Sequence, residues 1–269
     1  MVACGVAMAG EVPELKKAIL MLYYGTGDEE ACAASYDATT QRVREAFPGV
    51  EVRECFTSRS TAQVMTRHRH KPHLSLREAM TLLEQEGYNS VIAVSGELIE
   101  DKIARLSAQR LEALRPLFFE VKETTPLLYT AGDCRKVMDI LVAKAAPQSD
   151  EQVVFVSHGK NGAFDDVFCL ADYILQNEGH ANCHIGTVEG YPSIDTIKQI
   201  LKASGTKKVV LMPLMITGGG HAKRFVATTW REALEAEGYS VRCVTAGVLE
   251  YPEIQQIMVD KIKQADEQP

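Results

Sequence analysis

Apolar residues along this chain fall into short runs, separated by stretches in which they recur every three or four positions. From Lys17 onward this alternation predicts an α/β protein with a parallel sheet. The first run, Ala18 to Tyr23 (AILMLY), leads into the turn Gly25-Thr26-Gly27-Asp28. Asp28 can cap a helix whose apolar face includes Tyr36, Val43 and Phe47, with Pro48-Gly49 as its stop. A strand is expected from Val50 to Phe56. Ser75 and Glu78 form a capping box opening a helix that carries Leu76, Ala79, Met80 and Leu83. Gly87 ends it, and Val91 to Val94 is the next strand.

The second half repeats the order. Val153 to Val156 is a strand, followed by the turn His158-Gly159-Lys160-Asn161-Gly162. A helix then shows Phe164, Val167, Phe168, Ala171 and Leu175 on one face. Gly179 closes it, and Cys183 to Val188 is a strand. Ser193 caps a helix with Ile194, Ile197 and Leu201, which stops near Gly205. The strand Val209 to Leu214 runs into three glycines and His221, a last helix surrounds Trp230 and Leu234, and Val241 to Val244 is the final strand. The segment EGYNSVIAV near Glu86 matches SGTKKVVLM near Ser204. The expected division is a tail over residues 1–16, an α/β lobe over 17–132 and a second α/β lobe over 133–269, joined near Asp133 to Asp150.

In parallel sheets ligands bind beyond the C-terminal ends of strands. In the second lobe three such ends carry His158 (VVFVSHG), Glu189 (IGTVEGYP) and His221 (MPLMITGGGH), each about 30 residues from the next. Parallel strands would bring all three to one rim. Two imidazoles and a carboxylate suit a divalent first-row metal, and equally a general base. The corresponding first-half positions are Tyr24, Phe56 to Ser58, and Gly96 to Glu100. They lack the paired imidazoles, so a single site in the C-terminal lobe is expected. Gly218-Gly219-Gly220 either opens a path for a bulky flat ligand or is simply a turn.

Composition narrows the class. The 269 residues are 46% hydrophobic and 24% charged, which excludes a disordered, collagen-like or coiled-coil chain. No run reaches the roughly 18 apolar residues of a spanning helix. A net charge of −7 argues against a general nucleic-acid binder. Cys4, Cys32, Cys55, Cys134, Cys169, Cys183 and Cys243 contain no C-x-x-C pair, so most of them read as small buried apolar residues rather than a disulfide framework or zinc ribbon.

The motifs SHG (Ser157 to Gly159), GTVEGYP (Gly186 to Pro192) and MPLMITGGGHAK (Met212 to Lys223) resemble those of class II tetrapyrrole chelatases, most nearly the anaerobic-type sirohydrochlorin cobaltochelatases. YGTGDEE at Tyr24 to Glu30 and CFTSR at Cys55 to Arg59 fit as well, so the resemblance spans nearly the whole chain from Lys17. It implies two similar flavodoxin-like lobes with parallel sheets around a central cleft that holds the macrocycle. It further implies that His158 and His221 face the metal, with Glu189 as their acidic partner, and that Co²⁺ enters sirohydrochlorin. Fe²⁺ is the alternative metal, giving sirohaem. An ion entering a tetrapyrrole must shed water and displace two pyrrole protons, and an imidazole or carboxylate within about 3 Å of the nitrogens can accept one. The resemblance lapses after His221. The family often carries acids there, whereas this chain has Lys223, Arg224 and Phe225, which offer cations to the substrate's carboxylates or form a solvated helix start.

Three further expectations lie outside these motifs. RHRHKPH, from Arg67 to His73, reads as a solvated basic loop or as an exposed imidazole, His68, that ligates haem or a peripheral metal, between subunits of a homo-oligomer. MVACGVAMAG, with Ala7-Met8-Ala9 before Gly10, has the small-residue look of a leader-cleavage region but no basic start. Together these features favour a periplasmic location over a cytoplasmic one. Two competing classes are a non-enzymatic metal or haem carrier and a flavodoxin-like FMN binder. The second is disfavoured because Asp28, Glu29 and Glu30 would face the phosphate.

Overall fold

Near-continuous burial marks the central strands of two sheets. The computed structural model describes residues 13–69, 72–159 and 165–268. The leader-like residues, Phe164 and His70 lie outside them. The first sheet contains β1 (Lys17–Tyr23), β2 (Glu51–Phe56), β3 (Ser90–Ser95) and β4 (Glu120–Glu123), and the second contains β5 (Glu151–Ser157), β6 (Cys183–Thr187), β7 (Lys208–Pro213) and β8 (Ser240–Cys243). Their orders are β2-β1-β3-β4 and β6-β5-β7-β8, and every pairing is parallel. The expected α/β pair of lobes with parallel sheets is therefore what the chain forms.

The helices are α1 (Glu29–Cys32), α2 (Ala38–Ala46), α3 (Arg59–Arg69), α4 (Leu76–Gln85), α5 (Lys102–Glu112), α6 (Ala131–Ala145), α7 (Asp166–Asn177), α8 (Ile194–Ser204), α9 (Gly220–Arg224), α10 (Arg231–Glu235) and α11 (Pro252–Glu267). Two of the junctions are π-helical: Ala33–Asp37 joins α1 to α2, and Phe225–Trp230 joins α9 to α10. The capping signals act as read. Asp28 accepts from the Ala31 N–H, Ser75 and Glu78 close a reciprocal box, and Ser193 caps α8. Each supplies acceptors to the orphan amides of a helix start. The basic stretch beginning at Arg67 is not wholly a loop, because Arg67, His68 and Arg69 form the last turn of α3.

Alternation along the strands sends side chains into separate apolar layers. Ile19, Met21 and Tyr23 enter one core with Val153 and Phe155, whereas Ala18, Leu20 and Leu22 pack beneath α4. Val154 and Val156 pack on the far face of the second sheet with Ile197, Leu201 and Trp230. The first of these cores runs through both lobes. Cys134, Val137, Met138 and Leu141 of α6 enter it, as do Ile254, Met258 and Ile262 of α11. A boundary at 132/133 falls inside α6, which packs on α7, while α11 packs on α2, β3 and β4. The chain's last helix thus covers the first sheet. No helix among the described residues is long and apolar enough to cross a membrane.

Lys261 pins this return. Its buried ammonium donates to Thr125 Oγ1 (2.8 Å) and Asp133 Oδ1 (2.9 Å), while Asp133 Oδ2 accepts from Thr130 in the cap of α6. Burial alone would raise the Asp133 carboxyl, but the bonds from Lys261 and Thr130 outweigh it and hold it below the usual range. Its contribution to stability is present above the ordinary carboxylate pKa and is lost as pH falls through the lowered folded value. Lys261→Met should destabilise the protein at neutral pH by about 2 kcal/mol, less than a fully buried pair because Asp133 is partly solvated. Urea unfolding checks this: the gap from wild type should narrow below about pH 4 as the carboxyl protonates.

Candidate active site

The strand orders decide where a ligand can go. In each sheet the first and third strands are neighbours, and their outgoing helices leave on opposite faces, which opens a crevice at the carboxyl ends. The two crevices face one another across a cavity of about 770 Å³, within the range of small-molecule sites. From the first lobe it is lined by Tyr24 to Asp28 after β1 and by Glu97 to Ile99 after β3. From the second come Ser157 to Gly159 after β5, and Leu214 to His221 after β7, apart from Gly218.

His158 follows β5 directly. Its Nδ1 lies 3.0 Å from the Gly159 carbonyl oxygen. A carbonyl can only accept, so the proton sits on Nδ1 and the Nε2 lone pair is left for a metal or proton. Gly159 is obligatory for this geometry. Its φ is +70°, and a Cβ there would stand 2.6 Å from the Glu189 carbonyl oxygen. The same two loops are joined by the Glu189 N–H, which donates to the His158 carbonyl (2.8 Å). Glu189 Oε2 stands 3.9 Å from His158 Nδ1, and its side chain is 61% exposed.

His221 lies in the first turn of α9, and its ring centroid is 5.3 Å from that of His158. The sequence-predicted trio is thus an imidazole pair at the cavity with a carboxylate at the rim. Among the described residues no three His, Cys, Asp or Glu already stand together as a metal cage. Of the three glycines before His221, Gly218 has a specific reason: a Cβ would lie 2.4 Å from the Thr245 carbonyl oxygen. A Cβ on Gly220 would meet only open space.

The lobes also touch at the cavity mouth. Lys223 Nζ donates to Asp28 Oδ2 at 2.6 Å, and a Cβ on Gly219 would stand 2.9 Å from Thr26 Oγ1. The hydrogen bond from Lys223, followed by that from the Ala31 N–H, holds the Asp28 carboxyl below its ordinary range. Lys223, read from sequence as a cation for substrate carboxylates, is here paired across the cleft.

Glu97, on the opposite wall, was missed by sequence reasoning. It lies two residues past β3, in the stretch Gly96 to Glu100 that the sequence marks only by its lack of paired imidazoles. Tyr36 lines the same wall from the π-helical junction, its ring stacked on Tyr23 at 4.3 Å. Burial, then the Glu97 charge, push its phenol far above the usual tyrosine range. The second histidine group is separate. His68 is exposed at the end of α3, whereas His73 packs edge-on to Phe56 at 5.1 Å and its Nδ1 bonds Thr66 Oγ1 at 3.2 Å.

A family model described as cobalt chelatase (CbiK) matches residues 17–267. The chain belongs to the CbiK cobalt chelatase family. A relative from Nitratidesulfovibrio vulgaris (strain Hildenborough), named sirohydrochlorin cobaltochelatase CbiKC, is 32% identical over 94% of this chain and 92% of its own length. The sirohydrochlorin cobaltochelatase of Salmonella typhimurium is 27% identical over 93% of this chain and 97% of its own. Among solved structures, SirB from Bacillus subtilis with Fe³⁺ superposes with a TM-score of 0.68 at 12% identity, covering 94% of this chain and 96% of that one. At that identity the likeness establishes the fold, two lobes of the chelatase kind. In this CbiK family member, Gly159→Ala should lower stability by about 2 kcal/mol through strained φ and overpacking. Thermal unfolding measures that loss. The imidazole resonances of His158 in an NMR spectrum should shift with it, since its loop must move away from Glu189.

Proposed function

We propose that this protein inserts Co²⁺ into sirohydrochlorin, with His158 and His221 presenting the ion and carboxylates taking up the displaced protons. The observation that carries this is the imidazole pair, 5.3 Å between centroids, at the double crevice of a CbiK family member. The two lone pairs can hold a first-row divalent ion at moderate strength, and so can release it. Glu189 on the rim serves as an anionic partner for an arriving ion that is shedding water.

Insertion exchanges one divalent cation for two protons: two metal–nitrogen bond pairs replace two pyrrole N–H bonds, and the protons pass to bases. Glu97 lies on the wall opposite the imidazoles, so a macrocycle between them would meet the metal on one face and a proton acceptor on the other. The two-lobed cleft favours a bent ring, with a nitrogen lone pair turned out of plane towards the ion. Fe²⁺ is adjacent to Co²⁺ in the affinity series and is the second metal to assay.

The test is to mix protein with excess sirohydrochlorin and Co²⁺ and to follow the visible spectrum. Many product molecules per protein are expected; no more than one would make the protein a carrier. His158→Ala and His221→Ala should each still bind the tetrapyrrole but insert metal about 100-fold more slowly. Normal turnover in both variants would overturn the assignment.

A further inference from the structure

Phe225 lies four residues after His221, at the point where α9 passes into the π-helical turn Phe225–Trp230. Residues three and four apart share a helix face, and a π-turn re-aims side chains, often at functional sites. Here it brings a phenyl ring against both imidazoles. Phe225 meets His158 edge-on, with centroids 5.9 Å apart and planes at 86°, and meets His221 at 5.7 Å and 60°. With 5.3 Å between the imidazoles, the three rings form a nearly equilateral triangle. The Arg224 guanidinium carbon lies 5.4 Å from the phenyl centroid, within cation–π range.

The imidazoles come from different loops, one after β5 and one after β7. A pair of donors on separate loops can serve one ion only if their ring planes are held, and edge-to-face packing on a common ring does that with defined angles. We propose that Phe225 is a positioning residue for the metal-donor pair, fixing the spacing and tilt at which His158 and His221 donate to a single ion. This rests on the function proposed above. It adds that the phenyl ring, not its bulk alone, sets metal affinity, while leaving tetrapyrrole binding unchanged.

The experiment has two arms, using Phe225→Leu, Phe225→Tyr and, as a donor-loss reference, His221→Ala. In the first, the protein is titrated with Co²⁺ alone and the visible Co²⁺ bands are recorded. Phe225→Leu should bind Co²⁺ about tenfold more weakly with altered bands, approaching His221→Ala, and Phe225→Tyr should restore wild-type values. In the second, insertion rates are measured against each substrate. The half-saturating Co²⁺ concentration should rise about tenfold in Phe225→Leu while that for sirohydrochlorin stays constant. Wild-type Co²⁺ affinity and bands in Phe225→Leu would overturn the proposal. So would equal weakening towards both substrates without rescue by tyrosine, which marks a merely structural role. If wild type itself inserts no metal, the proposed function fails, while the first arm still decides the role of Phe225.

Discussion

The site depends on one topological constraint: β5 lies beside β7, and the helices that follow them pack on opposite faces of the sheet. Phe168 and Ala171 of α7 enter the core shared by the two lobes, while Val226, Trp230 and Leu234 cover the far face. The two exit loops must therefore part, and His158 and His221 stand on either side of the parting. The first sheet does the same with β1 and β3. Tyr36 and Val43 go to the shared core and Leu111 to the outer one, so Tyr24 and Glu97 face the imidazoles. Two copies of a strand order, turned towards each other, make the cavity before any catalytic residue is chosen.

Holding that cavity at a fixed width is a packing problem, and the crossed helices address it. Because α6 precedes β5 yet shares a core with α11, which lies on the first sheet, neither lobe buries its inner face alone. Dense cores transmit displacement rather than absorb it. Spacing across the cleft is accordingly tied to the shared apolar layer, and Lys261 ties it again through Thr125 and Asp133.

The inner strands β1, β3, β5 and β7 could be read from the sequence because buried parallel strands are near-continuous apolar runs, whereas β2 (EVRECF) and β8 (SVRC) were marked by the stops before them, Pro48-Gly49 and Gly238. The caps at Asp28, Ser75 and Ser193 could be read because their chemistry is local. What escaped the reading was β4, α3, α5, α11 and α6, the last of which occupies most of the expected junction from Asp133 to Asp150. β4 (EVKE) is an edge strand with one apolar residue, and α3 (RSTAQVMTRHR) carries few apolar positions, Ala62 and Met65 being the buried ones. The π-turns leave no compositional mark, since a single extra residue in the helical ladder looks like any other. At the site, His158, Glu189 and His221 were visible as polar residues where strands end. Glu97 shares that signature but has no imidazole to draw notice, and the ring contacts of Phe225 depend on a π-turn that no spacing rule anticipates.

The carboxylate of Asp28 divides its two oxygens between separate tasks: Oδ1 receives the Ala31 amide at the head of α1, and Oδ2 receives the Lys223 ammonium from the other lobe. An incoming polyanion that draws the ammonium to itself takes only the second bond. The first turn of α1 then stays wound, because its acceptor is the other oxygen, and the wall behind it keeps its shape.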